Sequence, residues 1–272
     1  MKDFFVGLNP IVQALIAGLF TWFMTGLGAS AVFGTKKVNR KLLDSMLGFS
    51  AGVMLAACFW SLLMPGLEMA KQMGLNPWLT AVIGFMTGGI FMRVFDRLLP
   101  HIHPGLYNGK PEGGVSTSWR RSILLVMAIT IHNIPEGLAL GIAFGAIAVG
   151  AKSATLGAAL ALTLGIGIQD VPEGIAVAIP LRREGIKRWK SFMLGQYSGL
   201  VEPIAAVIGA TFVIYINAVL PYALFFSAGA MLFVVVEELI PESQREEKHI
   251  DIVTMATLVG FCVMMVLDVT LG

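Results

Sequence analysis

Two similar polar hexapeptides interrupt long apolar segments of the sequence. HNIPEG begins at His132, and QDVPEG begins at Gln169. On a helix, His132 and Glu136 lie four residues apart on one face, and Gln169 and Glu173 repeat that spacing. Imidazole, amide and carboxylate groups are ligands for divalent transition metals. The paired hexapeptides therefore predict a metal site built from two helices.

The two hexapeptides lie at similar distances from a polar break near Gly150–Lys152. This break separates two apolar segments, 119–148 and 153–180, which we interpret as a helical hairpin. Each hexapeptide lies roughly 16–19 residues from the break, or about 25–28 Å along a helix that rises about 1.5 Å per residue. The two sets of polar side chains should therefore face each other at one depth.

The chain is far more apolar than a soluble domain. Its 272 residues are 56% hydrophobic and 13% charged, and the mean hydropathy is +0.80. Eight apolar segments reach the roughly twenty residues that a helical span requires. They cover residues 10–33, 42–67, 77–99, 119–148, 153–180, 189–216, 221–240 and 250–271. We predict an all-α integral membrane protein whose eight transmembrane helices form one membrane domain over residues 1–272.

The two cysteines, Cys58 and Cys262, lie within apolar runs. Neither a disulfide framework nor a paired-cysteine metal motif can be built from them. We therefore predict that both are packing residues.

Lysine and arginine fall almost entirely on one side of the predicted spans. Of the 19, only Lys2, Lys71 and Lys152 lie on the other side. Because cytoplasmic loops carry the excess of positive charge, both termini should lie outside. The polar loop 100–118 should then be cytoplasmic. These features predict a multi-pass protein of the plasma (inner) membrane.

Four acidic residues lie deep within the predicted spans: Glu136, Asp170, Glu173 and Glu202. An ionised side chain at that depth costs at least about 2.5–3.5 kcal/mol unless it is paired. No lysine or arginine is predicted at the same depth, so side-chain cations cannot neutralise these charges. Two divalent cations would balance them, which favours a binuclear site. Asn133 and Asp170, one residue further round their helices, are placed to serve the second metal position.

Ridges of small residues on the fourth and fifth segments predict close helix packing around these acids. The ridges consist of Gly137, Gly141 and Gly145, and of Gly157, Ala161 and Gly165. Small residues let helices approach closely in lipid. Such packing is needed if carboxylates from two helices are to share metal ions.

The two hexapeptides resemble the signature of the ZIP (Zrt/Irt-like) family of divalent metal transporters, in its prokaryotic branch. The resemblance extends to the eight spans, the external termini, a histidine-containing loop 3–4 and an acid in the sixth span, Glu202. It implies a 3+2+3 ZIP-type bundle in which helices 1–3 and 6–8 form an inverted repeat. It also hints at a homodimer. One departure is that loop 3–4 holds only His101 and His103 rather than a long histidine tract.

The resemblance further implies how the ligands are divided between two metal ions. One site would consist of His132, Glu136, Gln169 and Glu173. The second would consist of Asn133, Asp170 and Glu202, with Glu136 and Glu173 bridging. Met54 on the second helix resembles a position that contributes a thioether to the first site.

Other polar residues are predicted to line the route of the metal. At the outer mouth these are Ser61, Glu68 and Asp268. On the cytoplasmic side they are Asp44, Glu237 and Glu238 on helices, and His101 and His103 in the loop. Acids at a mouth concentrate cations. An acid at a helix end is also commonly just solvated, and a loop histidine is also commonly a plain surface residue.

The leading hypothesis is transport of a divalent metal into the cytoplasm. The ligand set favours zinc, with iron, manganese and cadmium as alternatives. A carboxylate-bridged membrane enzyme is a competing hypothesis, but its usual Glu-x-x-His and His-Glu-x-x-His motifs are absent, so we predict no enzyme. A proton- or cation-conducting channel is a third. The predicted partners are divalent metal ions and the lipid bilayer, and not nucleic acid, because the basic loops are topological signals.

Overall fold

The computed structural model describes residue 5 and residues 7–35, 39–98 and 121–272. Across this part of the chain the regular structure is helical, and eight helices are long and apolar enough to cross a membrane. They are α1 (Pro10–Gly34), α2 (Arg40–Gln72), α3 (Pro77–Leu98), α4 (Arg121–Ala148), α5 (Leu156–Arg183), α6 (Arg188–Tyr215), α7 (Asn217–Ser243) and α8 (Glu247–Leu271). The predicted all-α fold with eight spans is therefore confirmed.

Large apolar side chains on the outside of the bundle fit a lipid environment. Phe23 on α1, Trp78 on α3 and Val269 on α8 are each more than 60% exposed, at 64%, 66% and 68%. A soluble protein would bury side chains of this size, whereas lipid tails solvate them.

The helices pair in a pattern that fits an inverted repeat. The most extensive pairs are α4 with α6, α2 with α8, α3 with α7, and α1 with α5. Exchanging helices 1, 2 and 3 with helices 6, 7 and 8, and helix 4 with helix 5, converts each of these pairs into another of the set. The two central helices, α4 and α5, are therefore held by equivalent neighbours.

Two of the spans contain a π-helical stretch at corresponding points of the repeat. In α2 it covers Cys58–Leu63, and in α7 it covers Val235–Leu239. A proline follows two residues after each stretch, at Pro65 and Pro241. Because proline cannot donate a helical hydrogen bond, it fits the end of a widened turn. Such turns change the direction in which side chains point, and both π-helical stretches carry polar side chains.

The hairpin of α4 and α5 turns through a glycine. After α4 ends at Ala148, Gly150 adopts φ +69°, a left-handed conformation that other residues rarely take. Thr155 then caps α5, and its hydroxyl oxygen accepts a hydrogen bond from the backbone nitrogen of Ala158 at 3.0 Å. These two local signals fix where the central hairpin reverses.

The small-residue ridges pack against helices other than those expected from the sequence. Gly141 on α4 faces the backbone of Ala206 on α6, and Gly157 on α5 faces the carbonyl of Leu271 on α8. The ridges therefore do not join α4 directly to α5. They hold α4 against α6 and α5 against α8, and the ridge on α4 brings α6 close to the hexapeptide of α4.

We expect Gly141→Ala to weaken the packing of α4 on α6. A Cβ at this position would overlap the carbonyl oxygen of Ala206 and lie 2.7 Å from the backbone nitrogen of Ala210. Overpacking of this kind costs about 1–3 kcal/mol, so the midpoint of thermal unfolding in detergent should fall. The matched control is Gly89→Ala, whose Cβ would meet nothing nearer than the Gly229 carbonyl oxygen at 3.9 Å. Equal midpoints for the two variants would contradict this account of the interface.

Candidate metal site

Three carboxylates from the central hairpin converge at one buried point. Glu136 comes from α4, and Asp170 and Glu173 come from α5. One carboxylate oxygen of each lies within 4.8 Å of the others. All three side chains are buried, with exposed fractions of 1%, 0% and 5%. Oxygen atoms at this spacing can bind one cation jointly.

Gln169 joins the two hexapeptides directly. Its amide nitrogen donates a short hydrogen bond to Glu136 Oε1, across the hairpin. From the other side, the hydroxyl of Ser50 on α2 donates to the backbone carbonyl of Gln169 at 3.3 Å. The amide therefore orients one oxygen of Glu136, and the other oxygen of that carboxylate has no hydrogen-bond partner among the described residues.

Glu202 on α6 adds a fourth buried carboxylate. The amide nitrogen of Asn133 donates to Glu202 Oε1 at 3.1 Å, and the hydroxyl of Thr25 on α1 lies 3.5 Å from the same oxygen. The charge of Glu202 acts on Asp170, as do those of Glu136 and Glu173. The four acids are therefore one electrostatic unit built from three helices.

A break in α6 places Glu202 at this depth. The helix stops at Ser198 and restarts at Val201, so Glu202 lies in the first turn of the second part. A carboxylate there is favoured by the positive end of the helix dipole. Gly199 at the break allows the close approach, because a Cβ would lie 2.6 Å from Thr25 Oγ1 and 2.9 Å from Glu202 Oε1.

His132 links the acid cluster to α7. Its Nε2 lies 2.5 Å from Glu238 Oε1, and Glu238 belongs to the π-helical turn of α7. The charge of Glu173 also acts on His132. The imidazole is therefore close to one acid of the cluster as well as to Glu238. Met54 on α2 is fully buried in the hydrophobic core.

Six buried oxygen atoms of these side chains have no hydrogen-bond partner among the described residues. They are Asn133 Oδ1, Glu136 Oε2, Gln169 Oε1, Asp170 Oδ1, Asp170 Oδ2 and Glu202 Oε2. Buried polar atoms normally have partners. All six are acceptors, and no lysine or arginine in the described part of the chain pairs with the four acids. The chemistry that satisfies such a set is cation binding.

The residues predicted for the outer mouth occupy different environments. The hydroxyl of Ser61 donates to Asp268 Oδ1 at 2.6 Å, which joins α2 to α8. Glu68 is exposed and accepts a hydrogen bond from Gln72 at 3.2 Å. Ser61 and Asp268 therefore form a buried polar pair, while Glu68 lies on the surface.

The residues predicted for the cytoplasmic side fall into two groups. Glu238 contacts His132 as described, and Glu237 lies 3.7 Å from Arg93 of α3. Asp44, by contrast, is completely buried and pairs with Arg40 at 2.7 Å. His101 and His103 lie outside the described residues.

The Asp44 group is a charge cluster that sequence reasoning missed. Arg40 also reaches Glu242 of α7 at 2.8 Å, and Nδ1 of His249, at the start of α8, lies 3.7 Å from Asp44. The four-residue spacing of Arg40 and Asp44 indicates that these two can pair on one helix face, but it gives no sign of Glu242 or His249. The cluster joins the ends of three helices.

Thr25 is a second residue near the acids that the sequence analysis did not single out. It belongs to α1, where Thr21 and Thr25 lie four residues apart and are both completely buried. Polar residues at this spacing in an apolar span indicate a face turned to other polar groups, so the signal was present. In the structure this face, with the Thr25 hydroxyl, is turned towards Glu202.

Eight helices that are long and apolar enough to cross a membrane, arranged around a buried group of acceptor oxygens, define a membrane protein that can bind cations. Comparisons with known proteins make this class specific. The family model described as ZIP Zinc transporter matches residues 8–120 and 114–268. The chain belongs to this family.

Curated relatives from animals and bacteria match the chain along nearly its whole length. Zinc transporter ZIP11 of Bos taurus is 41% identical over 98% of this chain and 99% of its own. Zinc transporter GufA of Myxococcus xanthus is 37% identical over 95% and 98%, and zinc transporter ZIPB of Bordetella bronchiseptica is 37% identical over 95% and 81%. The bacterial relatives agree with the prokaryotic branch predicted from the hexapeptides.

We expect Arg40→Ala to destabilise the protein without removing bound metal. The substitution removes the arginine that pairs with the buried Asp44 and leaves the imidazole of His249, at 3.7 Å, as its remaining basic neighbour among the described residues. Breaking a fully buried ion pair costs about 3–5 kcal/mol, and we expect on the order of 2 kcal/mol here because Arg40 is partly exposed. Thermal unfolding and elemental analysis of bound zinc would measure both properties. Arg245→Ala, which removes an exposed arginine, is the control, and loss of bound zinc from Arg40→Ala alone would make the Asp44 cluster part of the metal site.

Proposed function

We propose that this protein carries zinc across the membrane into the cytoplasm. The observation that carries the proposal is the convergence of Glu136, Asp170 and Glu173, with buried Glu202 held beside them by Asn133 and Thr25, without a lysine or arginine partner in the described chain. Membership of the ZIP family establishes divalent metal transport as the general activity. The relatives named as zinc transporters support zinc as the substrate. Iron, manganese and cadmium remain alternative cargoes on ligand chemistry alone.

The proposed binuclear site divides its ligands as the family resemblance implies. His132, Glu136, Gln169 and Glu173 bind one ion, and Met54 supplies a thioether to it. Asn133, Asp170 and Glu202 bind the second, and Glu136 and Glu173 bridge the two. The arithmetic of charge supports this division, since two divalent ions balance four carboxylates. The unpartnered oxygens on both sets of residues support it as well.

His132 can bind the first ion while it keeps its contact with Glu238 in this proposal. Nε2 of the imidazole contacts Glu238, which leaves Nδ1 to bind the metal, and a carboxylate on the other ring nitrogen orients such a ligand. Ligands that have alternative partners release a metal more readily than a closed cage. Glu238, together with Glu237, is therefore proposed to receive the metal on the cytoplasmic side.

The proposed route places both termini outside and runs inward through one domain. Ser61 and Asp268 line its outer part, with Glu68 at the surface, and the positive-inside distribution of lysine and arginine supports this orientation. The plasma (inner) membrane is the proposed location, and a homodimer the proposed assembly. The names of the relatives point to a transporter rather than an enzyme.

We expect the double variant Glu136→Ala/Glu173→Ala to lose zinc uptake into proteoliposomes. Removing both bridging carboxylates should reduce uptake by well over about tenfold, because even groups that only support ligands change metal affinity by about 10–100-fold. The matched control is Glu184→Ala/Glu246→Ala, which removes two exposed glutamates and the same charge. Uptake at the wild-type rate in the double variant would end the proposal.

We expect the purified wild-type protein to bind two zinc ions per chain and the variant Asp170→Asn/Glu202→Gln to bind one. These substitutions keep the side-chain volumes but remove the two carboxylates that belong to the second site only. Equilibrium dialysis with elemental analysis measures the stoichiometry. A wild type that binds a single ion, or a variant that still binds two, would contradict the binuclear arrangement.

A further inference from the structure

The turn of α6 that contains Glu202 changes its hydrogen-bond register. Pro203 has no N–H group, so it cannot donate to the carbonyl of Gly199 as another helical residue would. Instead, the backbone nitrogen of Glu202 donates to that carbonyl at 3.0 Å. Just before it, the backbone nitrogen of Leu200 donates to the carbonyl of Tyr197 at 3.2 Å. Both bonds are of the tighter 3₁₀ type, in which a residue bonds to the third residue before it.

This change of register leaves two backbone carbonyls without their helical donors. In a continuous α-helix, Leu200 would donate to Gln196, and Glu202 would donate to Ser198. Both nitrogens are bonded elsewhere, so the carbonyls of Gln196 and Ser198 need other partners. An unpaired backbone carbonyl away from water costs free energy comparable to a lost hydrogen bond. The fold must therefore supply a donor for each.

Side chains from two other helices supply these donors. The indole nitrogen of Trp22 on α1 donates to the carbonyl oxygen of Gln196 at 2.8 Å. The amide nitrogen of Asn133 on α4 donates to the carbonyl oxygen of Ser198 at 3.1 Å. Both carbonyls are thus satisfied, and α1 and α4 together hold the altered turn of α6.

Asn133 connects this turn to the acid cluster. The amide nitrogen that bonds to Ser198 also donates to Glu202 Oε1 at 3.1 Å. Asn133 Oδ1 and Glu202 Oε2 are buried and have no hydrogen-bond partner among the described residues. Both oxygens belong to the proposed second metal site. Their positions depend on the altered turn, because that turn carries Glu202 and its Ser198 carbonyl orients the amide of Asn133.

α1 follows this part of α6 closely. A Cβ at Gly18 would lie 2.5 Å from Pro203 Cα, and Thr25 Oγ1 lies 3.5 Å from Glu202 Oε1. Trp22 comes four residues after Gly18 and three before Thr25, so the three residues lie along one side of α1. The indole bond is therefore one of three contacts between this side of α1 and the turn.

We propose that Trp22 is a positioning residue for the second metal ion. By holding the carbonyl of Gln196, its indole favours the register on which the positions of Glu202 and Asn133 depend. An indole N–H donates a hydrogen bond and does not accept one, so Trp22 acts through these two residues and not as a ligand. The proposal rests on the transport function and the binuclear site proposed above.

The first test measures zinc binding to the full-length protein in detergent by equilibrium dialysis. Trp22→Phe keeps an aromatic ring and removes the donor. Trp78→Phe, the control, makes the same change at a side chain that is 66% exposed. We expect Trp22→Phe to weaken binding of one of the two zinc ions about tenfold, the lower end of the effect of groups that orient metal ligands. Trp78→Phe should bind both ions as wild type does.

The variant Asp170→Asn/Glu202→Gln shows which ion is affected. Only the first ion remains in this background, so adding Trp22→Phe should leave the zinc affinity unchanged. An equal loss of affinity with and without the second site would make Trp22 a general support of the fold and overturn the proposal. Wild-type affinity for both ions in Trp22→Phe would overturn it too. A wild-type protein that binds fewer than two ions would overturn the binuclear site proposed above instead.

Pro203→Ala tests the altered turn while leaving Trp22 in place. The substitution restores the N–H group at position 203, which allows the helical bond to Gly199 and removes the cause of the changed register. We expect it also to weaken the second zinc ion about tenfold. The control is Pro221→Ala, at the start of α7, where proline is tolerated, and it should bind both ions normally. Unchanged zinc binding by Pro203→Ala would overturn the proposal even if Trp22→Phe folds poorly.

Discussion

The structure depends on the cost of keeping four carboxylates away from water. Glu136, Asp170, Glu173 and Glu202 are buried together, and no described lysine or arginine neutralises them. Like charges in a medium of low polarity repel each other strongly, so this cluster cannot be a packing device. It becomes favourable when divalent ions supply the missing charge. The repulsion among the four carboxylates is therefore also the source of the affinity for a divalent ion.

The rest of the fold serves to hold these acids together while leaving their oxygens available. Glycines on α4 and α5 let α6 and α8 approach closely, and the break in α6 turns Glu202 inward. Gln169, Asn133 and Thr25 fix one oxygen of their carboxylate partners and leave the other unpartnered. A transport site needs this compromise, because an ion that binds a fully closed cage does not leave.

The π-helical turns in α2 and α7 each carry polar side chains that contact other helices. One turn carries Cys58 and Ser61, and the other carries Glu237 and Glu238. They lie at equivalent points of the two halves, but their side chains differ, with sulfur and hydroxyl groups in the turn of α2 and two acids in the turn of α7.

The sequence was sufficient for the fold class and for the groups that would converge. Apolar segments of about twenty residues predict the spans, and the paired hexapeptides with Glu202 predict the depth of the acids. Contacts between distant parts of the chain could not be predicted from the sequence. The partner of the Gly141 ridge depends on tertiary packing, and the pairing of His132 with Glu238 depends on a π-helical turn that has no sequence rule. Periodicity describes one helix at a time, whereas these contacts depend on the arrangement of several.

The most direct measurement is anomalous X-ray diffraction from crystals of the protein grown with zinc, recorded on both sides of the zinc absorption edge. We expect two adjacent anomalous peaks among the carboxylates of Glu136, Asp170, Glu173 and Glu202. Zinc peaks confined to other parts of the protein, with these four side chains unchanged and without density between them, would contradict a metal site built from these acids.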